Sequence, residues 1–163
     1  MSKITIEDVI KKRFTGEIQT NFLDFATHLR TLNLPLREFD TEEKTYFFDI
    51  DYKGVTLCFI HVGPKSVRIY SSQVPCSWIY WNENGTEYPE PIVDGTIKKI
   101  AWKKVRKCNS CGCPSAPGKR KRILGKEFDN VCVSALGFST PKTADLECVK
   151  QMITAMKHDV DAM

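Results

Sequence analysis

The hydrophobic period of this chain changes at Pro35. Between Glu17 and Asn33, Ile18, Phe22, Phe25, Ala26, Leu29 and Leu32 recur at helical spacing, and Pro35 closes the run. From Tyr46 the period becomes two: "TYFFDIDY" puts Tyr46, Phe48 and Ile50 on one face and Asp49 and Asp51 on the other. "VTLCFIHV" is apolar on both faces, as a central strand is, and "SVRIYSS" resumes the alternation through Val67 and Ile69. Tyr52-Lys53-Gly54 and Gly63-Pro64-Lys65 supply the turns, so the spacing predicts a three-strand antiparallel meander behind a helix. A shorter helix is predicted over 5–13, with Thr5 and Asp8 in capping positions and Ile6, Val9 and Ile10 on one side.

Helix and strand signals alternate again in the second half. Asp94 caps a predicted helix over 95–107 striped by Ile97, Ala101 and Val105. "FDNVCVSALGF" reads as extended from Phe128, Pro141 stops it, and a last helix over 143–158 carries Leu146, Val149, Met152, Ile153 and Met156. The expectation is one α+β domain over 1–163: an antiparallel sheet of about four to six strands packed by the 17–33 and 143–158 helices. A cysteine-rich basic loop over 108–132 is its one excursion. At 163 residues with 42% hydrophobic content the chain can bury a core without staples. No apolar run approaches the roughly 20 residues that span a bilayer, so no membrane partner is expected. "MSKITIEDVIKKRF" lacks a signal-peptide core, which points to a cytoplasmic protein with reduced thiols; seven cysteines is also an odd number for closed disulfides.

Four of those cysteines fall in the loop. Cys108-x2-Cys111 has the spacing of a metal knuckle, Cys113 offers a third thiolate and Cys132 a fourth, a set able to hold tetrahedral zinc. Gly112, Pro114, Pro117 and Gly118 suit an irregular loop that a metal would order, and "GCPSAPGKRKR" shows neither helical nor strand periodicity. The competing chemistry is a thiol redox pair among Cys108, Cys111 and Cys113, favoured by neighbouring cations that lower thiol pKa values. Its position after a predicted helix counts against that, because a helix C-terminus disfavours a thiolate. Cys58 and Cys148 fall among core positions and read as packed residues.

Charge is concentrated in the same region. Residues 95–126 hold eleven Lys or Arg and no acidic residue, leaving thirteen basic against twenty acidic residues elsewhere in a chain of net charge +4. Lys103, Lys104, Arg106, Lys119, Arg120, Lys121 and Arg122 make nucleic acid an alternative partner through phosphate contacts. The same cations would also offset a four-thiolate zinc centre. A second cluster is aromatic: Trp78, Tyr80, Trp81 and Tyr88 lie within eleven residues, and His61 ends a strand. Such residues line ligand pockets or seal a sheet edge.

"GKEFDNVC", preceded by a CxxC loop and followed by an F-x-x-P segment that opens a helix, resembles the C-terminal half of an uncharacterised family of small bacterial hypothetical proteins. The resemblance covers about Trp102 to Met156 and rests on Cys108, Cys111, Gly125, Lys126, Phe128, Asn130, Cys132, Phe138 and Pro141. That family has no known function, so the resemblance implies none. With no catalytic motif in the sequence, the expectation is a non-catalytic, zinc-stabilised domain that binds a small molecule at Trp78, Tyr80, Trp81, Tyr88 and His61. A nucleic-acid module and a thiol redox enzyme are the alternatives.

Overall fold

In a computed structural model the described residues are 3–42, 44–81, 88–109 and 118–163. The chain opens with α1 (Ile6–Arg13), whose first turn is closed by reciprocal bonds: the Asp8 N–H donates to Thr5 Oγ1 and the Thr5 N–H to Asp8 Oδ2. Helix α2 (Gly16–Thr31) buries Phe22, Phe25, Ala26 and Leu29, the stripe its periodicity predicts. Then come β1 (Leu36–Glu42), β2 (Thr45–Tyr52), β3 (Val55–Val62), β4 (Val67–Ser71) and a two-residue β5 (Ile79–Tyr80). Helix α3 (Gly95–Lys103), β6 (Val105–Lys107), β7 (Lys119–Ile123), β8 (Lys126–Ser139) and α4 (Thr143–Asp161) complete the order.

The strands form one antiparallel, open sheet in the order β1-β2-β3-β4-β8-β7-β5, with β6 also paired to β8. The α+β class is as expected, with four helices and eight strands among the described residues rather than four to six strands. The additional strands have physical reasons. The predicted 95–107 helix ends at Lys103, where the Lys104 N–H turns back to the Ala101 carbonyl; Val105 and Lys107 instead pair with Leu136 and Val131. The 108–132 segment is not one loop, because β7 and the start of β8 lie inside it as a hairpin. "KRKRI" conceals a strand because its inward position is a lysine: Lys121 is 2% exposed and the residues on either side of it are exposed.

Two hairpins turn through paired left-handed residues, Lys53-Gly54 and Leu124-Gly125, the geometry that matches strand twist. In β3 a register shift places one extra residue opposite Ile50–Asp51, so adjacent Leu57 and Cys58 are both fully buried. The core joins Phe22, Phe25 and Leu29 of α2, Phe48, Ile60, Ile69 and Phe138 of the sheet, and Val149, Met152 and Ile153 of α4. Each such side chain contributes about 1.5–3 kcal/mol of burial energy. The residues that alternate with these on β2, β3 and β4 point away from that core, and they form the site.

Candidate functional site

Phe47 and Asp49 of β2, Phe59 and His61 of β3, Tyr70 of β4, Gln73, Arg106 of β6 and Cys132–Ser134 of β8 line a hollow of about 580 Å³. None of these residues belongs to a helix. Register brings them together: Phe47 faces His61, Asp49 faces Phe59, Phe59 faces Tyr70, and Tyr70 faces Gly137. The rings form a continuous row. Phe47 and His61 meet edge to face with centroids 4.6 Å apart, and His61 and Tyr70 at 5.0 Å. The Arg106 guanidinium extends the row, 4.5 Å from the Tyr70 centroid.

Gly137 makes the last contact possible. A Cβ there would lie 2.5 Å from Arg106 Cδ, so only a bare backbone lets the arginine stem lie across β8 and reach Tyr70. One Arg106 N–H donates to the Ser134 carbonyl at 3.3 Å, and no carboxylate among the described residues pairs with this guanidinium. Among the same residues, the His61 nitrogens, the Tyr70 hydroxyl, the Gln73 amide and the Arg68 guanidinium have no hydrogen-bond or ion-pair partner from the protein. The hollow therefore combines apolar ring surface with unused polar valence.

Its electrostatics are mixed. Burial lowers the pKa of His61, and the nearby positive charges of Arg68 and Arg106 lower it further, which keeps the imidazole neutral at pH 7. Across the hollow, burial raises the Asp49 carboxyl above its ordinary value; the Arg37 guanidinium, 3.5 Å away, opposes that shift, and Asp51 adds to it. Arg68 projects from β4 directly across from His61 and is exposed, so two guanidiniums flank the imidazole.

The aromatic stretch expected to bind with His61 does not gather around it. Trp78 is 2% exposed and belongs to the core, its carbonyl accepting from the Leu124 N–H. Tyr80 pairs with Arg122 and its ring lies 6.0 Å from Tyr88. Trp81 and Tyr88 line a separate, mainly apolar hollow of about 330 Å³ with Val55, Leu57, Val74 and Met156. Of the five residues only His61 faces the larger hollow. Phe47, Phe59 and Tyr70 are not among the expected binding residues, although they carry a signal: three aromatics occupy alternate positions where a solvated strand face would be polar.

The cysteine segment is partly described. Cys111 and Cys113 lie outside the described residues. Cys108, after β6, and Cys132, in β8, are both 8% exposed. Asn130 closes the neck between them. Its amide donates to the Cys108 carbonyl at 2.8 Å, its side-chain oxygen accepts from the Gly118 N–H, and its own carbonyl accepts from the Cys108 N–H. Asn130 does this in the left-handed region, at φ 53°, which asparagine tolerates better than most residues. Among the described residues no three His, Cys, Asp or Glu side chains converge to hold a metal. Cys58, Cys76 and Cys148 are buried with thiol pKa values pushed up, to about 12 for the latter two, so they stay protonated.

The basic residues do not share one face. Lys104 pairs with Asp145, Arg120 with Glu127 and Asp129, and Arg106 sits in the hollow. Lys121 is buried, donating to the Cys132 and Val133 carbonyls, with its ammonium 4.1 Å from the Trp81 ring. Arg122 lines a third hollow beside Tyr80 and Tyr88, while Lys103 and Lys119 are exposed.

No family model, no curated protein and no solved structure matches this chain. No helix among the described residues is long and apolar enough to cross a membrane.

Proposed function

We propose that the protein is a non-catalytic binding domain that holds a small molecule in the hollow on the open face of its sheet. The observation that carries this reading is the row Phe47–His61–Tyr70–Arg106, spaced 4.6, 5.0 and 4.5 Å apart across strands β2, β3, β4 and β6. Binding sites of this size pair apolar walls with a few convergent polar groups, and His61, Gln73, Tyr70 and Arg106 supply those groups here. A thermal-shift screen of small polar aromatic compounds tests it, run in parallel on the protein and on a Tyr70→Leu variant. Compounds that raise the melting temperature of the first and not the second support the reading. Equal stabilisation of both would place the ligand elsewhere.

The zinc reading forms part of the same proposal. Cys132 lines the hollow, and Cys108, Cys111, Cys113 and Cys132 would make a four-thiolate centre at its margin. Two features support it: the Asn130 clamp, which brings both ends of the cysteine segment together, and the buried Lys121 ammonium beside Cys132, which would offset an anionic centre.

A further inference from the structure

We infer that the ligand of the open-face hollow is a flat aromatic ring bearing an acid group, with the acid held by Arg106 and Arg68 and the ring lodged among Phe47, His61 and Tyr70. The inference rests on the binding role proposed for this hollow and adds the chemical class. It starts from charge. Arg106 is held over Tyr70 by its stem and by one bond to the Ser134 carbonyl, and no carboxylate among the described residues neutralises it. A guanidinium carries five N–H donors in a fork that fits a carboxylate or phosphate with two parallel bonds. Arg68, across β3–β4 from His61, is a second guanidinium with no carboxylate partner among the described residues, and both push the imidazole toward its neutral form.

Carboxylates near the hollow do not cancel this. Asp49 is 6% exposed with its pKa raised by burial, and Asp51 is tied to Arg37 at 3.0 Å. The positive end is therefore the one open to an incoming charge. Beside Arg106 the lining is largely ring: Phe47, His61 and Tyr70 meet one another edge to face, at 71° and 62°, and together give the hollow a wall of π surface. A flat ring gains edge-to-face or stacked contact there, while the neutral His61 and Gln73 offer hydrogen bonds to ring heteroatoms. An aliphatic acid would leave the ring walls unused, and an uncharged arene would leave both guanidiniums unpaired.

Aromatic carboxylates and nucleoside monophosphates share this chemistry, and one titration series separates them. 2-Naphthoate, adenosine 5′-monophosphate and the uncharged 2-naphthalenemethanol are titrated into the ¹⁵N-labelled full chain, followed by amide shifts, with Arg68→Met and Arg106→Lys variants alongside. The expected result is that at least one acid shifts amides of β2, β3 and β4, and binds about tenfold or more tightly than the alcohol, since a charged hydrogen-bonded pair is lost. Arg68→Met, at an exposed position, weakens the acid and leaves the alcohol unaffected. Arg106→Lys, which keeps the charge but loses the planar fork, weakens the acid too; acid binding unchanged in both variants overturns the inference. The acid that binds more tightly names the source. If the alcohol binds this face as well as either acid, the acid-group inference is wrong while the binding role stands. If the probes shift only residues around Trp81 and Tyr88, both fail. No shift with any probe at millimolar concentration also overturns the inference.

Discussion

Arg106 lies with its guanidinium 4.5 Å from the centre of the Tyr70 ring, and it reaches that position only because residue 137, directly across from Tyr70, is glycine. The sheet thus carries a cation on its open face that no carboxylate among the described residues holds. Gly137→Ala tests the arrangement. The new methyl meets Arg106 Cδ at 2.5 Å, so the arginine must swing off Tyr70. The fold should survive, at a cost of about 1 kcal/mol in urea denaturation. Binding of an acidic aromatic probe should fall as far as in an Arg106→Ala variant. Undiminished binding would remove Arg106 from the site.

Stability should depend on pH through two half-buried imidazoles. His61 and His28 both titrate below the ordinary 6.5 in the folded chain, each mainly through burial; Arg68 and Arg106 assist at His61, and Lys150 at His28, where Glu147 and Asp24 partly oppose. The unfolded chain therefore takes up protons first as pH falls, and stability drops as pH goes from about 7.5 through 6.5 toward the lower native values. Asp49 acts with the opposite sign further down: its native carboxyl binds a proton above the ordinary 3.8, so lowering pH through that window adds stability. Urea midpoints across this range should slope upward with pH between about 5.5 and 7, and His61→Gln should flatten the slope. An unchanged slope would mean that His61 is not held neutral.

Adjacent residues of the basic strand should differ sharply. Lys121→Ala removes a buried ammonium that satisfies the Cys132 and Val133 carbonyls, and should cost about 2–4 kcal/mol. Arg120→Ala breaks only solvent-exposed pairs with Glu127 and Asp129 and should stay within about 0.5 kcal/mol of the parent. Chemical denaturation of the two variants decides; equal effects would contradict the inward placement of Lys121.

Elemental analysis of protein purified without a metal-affinity column should find about one zinc per chain, lost in Cys132→Ser. Thiol alkylation should then spare the segment's four cysteines until a chelator is added. Cys58, Cys76 and Cys148 should resist until the protein unfolds, because burial keeps them protonated. Metal-free protein with four fast-labelling thiols would contradict the zinc centre.

Local periodicity made the frame readable. The capped first helix, the Phe22–Leu29 stripe, the meander and the last helix all follow from spacing, because each buries one face against one core. β6 and β7 were hidden for a different reason. Each is held in the sheet by pairing to β8 rather than by an apolar alternation, and at Lys121 the inward residue is charged but satisfied by carbonyls that only the folded chain brings near. The site was legible at one residue of its row, His61. Phe47, Phe59 and Tyr70 come from three strands, and Arg106 from a segment that spacing assigns to a helix; register alone places them side by side. The Trp78–Tyr88 rings do not join this row, because aromatic density along a sequence does not say which side of a sheet each ring faces.

Amide shift mapping with the strongest hit of the thermal-shift screen tests the central claim most directly. The perturbed residues should cluster at Phe47, Phe59, His61, Tyr70, Arg106 and Ser134, on the open face of the sheet. A cluster at Val55, Val74, Trp81 and Tyr88 instead would contradict the account and move the binding site to the apolar hollow beside α4.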